Sequence, residues 1–206
     1  MKVILVNGSP HKNGCTYTAL SEIAETLQKE GVESEIFWVG NKPISGCIAC
    51  KACLKTGKCV INDTVNEFIE KAKDADGFIF GSPVHYAGAS GAITSFLDRA
   101  FYHKADVYQG KPAAAIASCR RGGASATFDQ LNNYFTICSM PVVSSQYWNM
   151  VHGNTPDEVK QDLEGLQTMR TLGRNMAWML KCIEAGKNAG ITFPEHEEKV
   201  ETNFIR

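Results

Sequence analysis

The chain has 206 residues, with 21 basic and 22 acidic side chains and a formal net charge of −1. Hydrophobic residues make up 44% and charged residues 21%, close to globular averages, which excludes disorder, a collagen-like repeat or a coiled coil as a description of the whole. The charge balance gives no electrostatic case for binding nucleic acid or an anionic membrane, and no apolar run approaches the ~20 residues that span a bilayer.

Strand and helix patterns alternate along the chain. Lys2 to Val6 is a short β-branched run that stops at Asn7-Gly8-Ser9-Pro10, as expected of a strand buried on both faces. From Thr16, apolar residues recur at helical spacing (Leu20, Ile23, Ala24, Leu27) until Gly31. Val32 to Val39 reads as a second strand. Residues 40–62 have no clean period and hold half of the cysteines. Asp63 is placed to cap a helix with the stripe Val65, Phe68, Ile69 and Ala72. Gly77 to Gly81 is a third strand, followed by a helix through Ile93, Phe96, Leu97 and Ala100. Pro112 to Ala117 is a fourth, followed by a helix from about Ser125 to Cys138, and Pro141 to Ser145 a fifth. One long helix is expected from Asp157 to Ala185, carrying Val159, Leu163, Leu166, Met169, Leu172, Met176, Leu180 and Ile183. A charged, aperiodic tail begins near Thr192.

Five β–α units in sequence predict an α/β fold with a parallel sheet covered by helices on both faces. Nothing in the sequence marks a linker or repeat, so one domain is expected over 1–206, with the cysteine-rich loop at 45–60 and the terminal helix and tail at 157–206. Ligands of such sheets bind outside the carboxyl ends of the strands. Three loops there invite a chemical reading.

After the first strand comes Gly8-Ser9-Pro10-His11-Lys12-Asn13-Gly14-Cys15-Thr16-Tyr17-Thr18. A helix N-terminus with free N–H groups, plus Ser9, Asn13, Thr16 and Thr18, suits a phosphomonoester. The loop lacks the Gly-Lys-Ser/Thr ending of a nucleoside-triphosphate loop and the Gly-x-Gly-x-x-Gly of a dinucleotide fold. After the third strand, Ser82-Pro83-Val84-His85-Tyr86-Ala87-Gly88-Ala89-Ser90-Gly91 combines a stiffening proline, an aromatic face and glycines that admit a flat ligand. After the fourth, Ser118-Cys119-Arg120-Arg121-Gly122-Gly123 sets two arginines beside two glycines, fit for an anionic ring edge or a second ligand's phosphate.

Asn-Gly-Ser-Pro-x-x-x-Gly-x-Thr after the first strand, Gly-Ser-Pro-Val-x-Tyr after the third, Phe-Leu-Asp-Arg at 96–99 and Gln146-Tyr147-Trp148-Asn149 occur in the order found in the flavodoxin-like NAD(P)H-dependent FMN reductases, which the chain resembles over roughly residues 1–150. The resemblance implies a flavodoxin-like three-layer fold with strand order 2-1-3-4-5. It implies FMN phosphate at Ser9, Asn13, Gly14, Thr16 and Thr18, with His11 and Cys15 in the same loop, and ring contacts from Pro83, Val84, His85, Tyr86 and Gly88. By position in the fold, Ser118, Arg120, Gly122 and Gly123 face the other edge of the ring. Cys15 stands where the family commonly has Asn, and His85 where an aromatic is common.

Eight cysteines are unusual for the length. The N-terminal apolar run breaks too early for a signal peptide, so a cytoplasmic protein with reduced or metal-bound cysteines is expected. Cys47, Cys50, Cys53 and Cys59 lie within 13 residues. Steps of three and then a wider gap can wrap a cubane cluster, as in ferredoxins; a four-cysteine zinc site and plain free thiols are the other readings. This spacing resembles the compact motif of iron–sulfur flavoproteins, an offshoot of the same family, which implies a [4Fe–4S] cluster beside FMN, with Lys51, Lys55 and Lys58 offsetting thiolate charge. Cys119, Cys138 and Cys182 read as packing residues.

The family implies a ping-pong oxidoreductase in which NAD(P)H reduces FMN and a quinone, nitro or azo compound, free flavin or protein then takes the electrons. The alternative is a relay in which a cluster loaded by ferredoxin passes single electrons to FMN. A non-enzymatic redox sensor is the third reading. No side chain stands out as a catalytic acid or base, leaving the chemistry to the flavin. A homodimer or homotetramer is expected from the family.

Overall fold

Lys2–Asn7 (β1) carries no exposed side chain from Val3 to Val6, which places it at the centre of a sheet. The computed structural model describes residues 1–206 except 104, 199, 201, 203, 205 and 206. The elements that follow are α1 (Cys15–Lys29), β2 (Glu33–Trp38), α2 (Ala52–Thr56), α3 (Thr64–Lys73), β3 (Gly77–His85), β4 (Gly88–Ala89) and α4 (Gly91–His103). After these come β5 (Ala113–Cys119), α5 (Ala124–Ile137), β6 (Met150–His152), α6 (Pro156–Gln161) and α7 (Leu163–Asn188). The strand order is β2-β1-β3-β5-β6 with every pair parallel, and β4 folds back antiparallel on the end of β3. This is the expected flavodoxin-like architecture, with the 2-1-3-4-5 order met once the short hairpin strand is set aside.

Alternation along the strands sends side chains into two cores. On one face Ile4, Val6, Phe78 and Phe80 meet α3, α4 and α5 through Phe68, Phe96 and Phe135. Phe68 sits at its centre, with ring centroids 5.0 to 6.2 Å from Phe96, Phe37, Phe80 and Phe78. On the other face Leu5, Ile79 and Ile116 pack on Leu20 and Ile23 of α1 and on Met169, Leu172 and Met176 of α7. Where α1 crosses β3, a Cβ on Gly81 would lie 2.8 Å from Thr16 Cγ2, so only glycine lets the helix start this close to the sheet.

Three expectations are corrected. The fifth strand is not Pro141 to Ser145: that stretch makes one bridge, Val142 to Ala113, and the ladder resumes only at Met150. Between them the chain bulges outward, because Ser144 O accepts from Asn175 Nδ2 and Gln146 Oε1 from Thr171 Oγ1, both on α7. The long terminal helix is two helices. Asp162 leaves helical geometry (ψ 78°) and its carboxylate accepts from the Gly165 and His152 N–H groups, which leaves Leu163 exposed. Cys182 is exposed on α7, whereas Cys119 and Cys138 are buried as expected.

Phe68→Ala removes the ring that joins α3, α4 and the sheet. We expect a loss of about 3–5 kcal/mol in unfolding free energy, read as a fall in the urea midpoint at unchanged slope.

Candidate functional site

The loops after β1, β3 and β5 converge on one edge because the strand ends are stitched together. Gly8 N donates to Gly81 O at 2.9 Å, Ser90 Oγ to Gly8 O at 3.1 Å, and Ser90 N to Ser82 Oγ at 3.0 Å. Pro83 pairs in register with Ser118, which is buried within β5.

The first loop is shaped by Asn7, fully buried at the end of β1. Its Oδ1 accepts from Ser9 N and its Nδ2 donates to Lys12 O, bending the chain back towards α1. Trp38, from the end of β2, donates its indole N–H to Ser9 O at 2.8 Å, and Lys12 lies over the indole ring. Ser9 Oγ accepts from His11 N, and Gly14 N donates to His11 O. Helix α1 therefore starts after Gly14 as its N-cap residue, without a side-chain cap, which leaves its first N–H groups without side-chain acceptors. Inside this cradle Thr16 Oγ1 is buried and has no hydrogen-bond partner. A buried hydroxyl left unpaired costs about 1–3 kcal/mol, a cost that a bound anion removes. Thr18 Oγ1 instead donates to Gly14 O, spending its proton on the backbone, while His11 and Asn13 stand exposed at the mouth. Burial pushes the Cys15 thiol up, which keeps this half-buried side chain neutral beside the cradle.

The second loop is a tight hairpin in which Val84 pairs with Ala89 and His85 with Gly88. Its two corner residues, Tyr86 (φ 49°) and Ala87 (φ 59°), occupy the left-handed region that glycine and asparagine usually fill. Backbone held this way costs of order 1–3 kcal/mol per residue and concentrates at ligand-binding sites. Gly123 (φ 90°) presses against it: a Cβ there would sit 2.6 Å from Ala87 Cα and 2.8 Å from Val84 Cγ1. Gly123 thus brings the third loop onto the hairpin. His85, Tyr86, Arg120 and Gly122 are exposed around the opening, Pro83, Val84 and Gly88 are half-buried in its wall, and Tyr86 projects fully into solvent.

The four clustered cysteines line one pocket together with Arg99 and Tyr102 of α4. Ala49 (φ 51°) and Lys51 (φ 57°) turn the chain between the first three, and Cys47 Sγ accepts from Ala49 N at 3.4 Å. Cys59 is anchored by Asn66, whose amide bonds both its N–H and its C=O at 2.9 Å. The Arg99 guanidinium, its side chain 1% exposed, donates Nε–H to Cys59 Sγ at 3.3 Å and a two-pronged bond to Asp63 at 2.6 and 2.8 Å. Burial pulls the Arg99 pKa down, but its bonds to Asp63 and Cys59 raise it on balance, so it stays charged. Burial pushes the Cys53 thiol up, and the nearby Cys59, Cys47 and Cys50 push it further. Among the described residues no group of three or more His, Cys, Asp or Glu side chains stands in ion-holding geometry, so the thiols share a pocket without a preformed coordination shell. The donor set itself, four thiols from a short loop with a cation against one of them, fits a thiolate-bound cluster.

Asn7, Trp38, Asp63 and Arg99 shape these sites, and sequence reasoning gave none of them a ligand role. Asp63 was legible as a cap and indeed accepts from Val65 N, but its partner lies 36 residues away on another helix.

Comparison with known proteins agrees with this geometry. Residues 1–155 match the family model described as NADPH-dependent FMN reductase. An iron–sulfur flavoprotein of Methanocaldococcus jannaschii is 36% identical over 195 residues, spanning 89% of this chain and 100% of that one. An iron–sulfur flavoprotein of Archaeoglobus fulgidus is 30% identical over 196 residues, covering 88% and 98%. Among solved structures, a flavone reductase superposes with TM-score 0.70 at 19% identity, covering 89% of this chain and 64% of that one. An archaeal flavodoxin superposes with TM-score 0.60 at 16% identity, covering 88% and 99%. At such identities these two establish the fold alone.

Thr16→Val separates a ligand role from a structural one. The unliganded protein keeps its stability, because the lost hydroxyl had no partner. Binding of FMN, followed by fluorescence quenching, weakens at least about tenfold, since a hydrogen bond to a charged group contributes ~1.5–3 kcal/mol.

Proposed function

The chain belongs to the NADPH-dependent FMN reductase family, in its iron–sulfur flavoprotein branch, and from that premise we propose that this FMN-binding oxidoreductase also holds a [4Fe–4S] cluster and moves electrons between the two groups. The observation that carries the reading is the single pocket into which Cys47, Cys50, Cys53 and Cys59 are gathered, on the helix that leaves the flavin cradle. When bound, FMN supplies hydride and single-electron chemistry and a cluster supplies single-electron transfer.

The protein's part is to hold both groups. The free N–H groups at the start of α1 and the Thr16 hydroxyl receive the phosphate, with Ser9 shaping the loop behind them. Pro83, Val84 and Gly88 form one wall for the ring and Gly122-Gly123 the opposite edge, leaving His85 and Tyr86 as its outer cover. Helix α4 starts at Gly91, directly after the hairpin, and reaches Arg99 eight residues on, about 12 Å along its axis. Flavin cradle and cysteine pocket are thus the two ends of one short rigid element. The exposed Lys51, Lys55 and Lys58 partly offset the charge of four thiolates. All eight cysteines are free, and no described helix is long and apolar enough to cross a membrane.

A second reading, direct reduction of the flavin by NADH or NADPH followed by transfer to a small acceptor, is supported by Arg120 and Arg121. Both are exposed beside the cradle, where guanidinium groups suit the phosphates of a dinucleotide.

Protein purified without oxygen is expected to contain FMN with roughly four iron and four acid-labile sulfide per chain, measured by metal analysis and the visible spectrum. FMN without iron overturns the cluster reading. In rapid mixing with NADH or NADPH, bleaching of the flavin within seconds supports the second reading; an unbleached flavin removes it and leaves a protein donor.

A further inference from the structure

Arg99 is among the largest fully buried side chains of the described residues, and it is charged. All of its bonding is directed at the segment that carries the cysteines. Nε–H goes to Cys59 Sγ (3.3 Å), Nη1 to Ser45 O (3.4 Å) and Asp63 Oδ2 (2.6 Å), and Nη2 to Ile61 O (2.7 Å) and Asp63 Oδ1 (2.8 Å). A guanidinium has five N–H donors, and each has an acceptor here. Ser45 and Ile61 flank the four-cysteine segment on either side, so one side chain ties both of its legs to α4. Three of the thiols, Cys47, Cys50 and Cys53, lack such a cation contact among the described bonds; the fourth is singled out.

We propose that Arg99 is a positioning residue that fixes the Cys59 sulfur as the fourth ligand and, by its N–H···S bond and buried positive charge, raises the reduction potential of the bound cluster. The assignment rests on the cluster reading above. Reduction adds one negative charge to the cluster, and a nearby fixed cation stabilises the reduced form more than the oxidised form. Hydrogen bonds to the sulfurs and local charge are recognised determinants of such potentials. Asp63 acts in the opposite sense. Its carboxylate is 28% exposed and neutralises part of the Arg99 field, so the pair sets the potential by the balance between them.

Two substitutions of opposite sign test this. Arg99→Met removes cation and donor while keeping bulk, and it is expected to lower the cluster potential by a tenfold or larger change in the reduction equilibrium, ~59 mV for a one-electron couple. Asp63→Asn keeps the helix cap and one acceptor for Arg99 but removes the opposing charge, and it is expected to raise the potential. Both are read by anaerobic redox titration of the intact holoprotein, with iron and sulfide measured on the same samples. If Arg99→Met fails to hold iron, Asp63→Asn alone decides the sign. Iron-replete variants with unmoved potentials, or two shifts in the same direction, overturn the role of Arg99. Wild-type protein free of iron overturns the cluster reading and this assignment with it, an outcome distinct from iron-replete protein with an unmoved potential.

Discussion

Burying a guanidinium costs several kcal/mol unless each of its donors is matched, and the organisation of the cysteine-rich segment follows from meeting that demand at Arg99. Residues 40–62 have almost no regular structure of their own: only the single helical turn Ala52–Thr56 interrupts them. Their conformation is set from outside. Ser45, Cys59, Ile61 and Asp63 supply the acceptors, and Asn66 of α3 clamps Cys59 from the other side. Four thiols end up around one pocket because the segment has to wrap a single buried cation. A lysine at this place offers one compact ammonium and cannot serve a carboxylate, two carbonyls and a sulfur at once.

The flavin cradle is organised on a different principle. Here backbone N–H groups and the unpaired Thr16 hydroxyl line the cradle, and most other side chains hold the backbone in place. Asn7 and Trp38 pin the first loop where it turns back into α1, whose first N–H groups have no side-chain cap. The hairpin of β3 and β4 carries two non-glycine residues in left-handed geometry, and Gly123 packs against it where no larger residue fits. Strain of this kind persists only where surrounding contacts over-determine it. The stitching of Gly8, Gly81, Ser82 and Ser90 supplies those contacts, so a local irregularity at the ligand edge is held by a regular sheet beneath it.

These two principles also explain what was legible in the sequence. Val3–Val6, Phe78–Phe80 and Ala113–Ala117 read as strands because both faces are buried, and the ligand loops follow from where such strands end. The last strand was misplaced because Pro141-Val142-Val143 has the composition of a strand but pairs at one residue only, its continuation drawn outward by Thr171 and Asn175 of α7. Likewise the stripe through Val159, Leu163 and Leu166 keeps helical period across Asp162, and only the carboxylate's bonds to Gly165 and His152 reveal the break. Arg99 belonged to a recognisable motif, yet its contacts with Cys59 and Asp63 span 40 and 36 residues, beyond any local pattern.

The cysteines show how burial sorts one residue type into separate chemistries. Cys119 and Cys138 are buried, and desolvation pushes both thiols up, so they remain neutral, inert packing groups. Cys182, read from the sequence as a packing residue, is exposed on α7, away from either site. In the loop, Cys53 is also raised by burial and by its neighbouring thiols. Lys51, Lys55 and Lys58 are exposed and screened by water, which limits what each contributes. Arg99 is shielded from solvent and within hydrogen-bond reach of one sulfur, where a single charge acts much more strongly. The count of basic residues near the loop is therefore a poor guide to its electrostatics; the one cation buried against it outweighs the three on the surface.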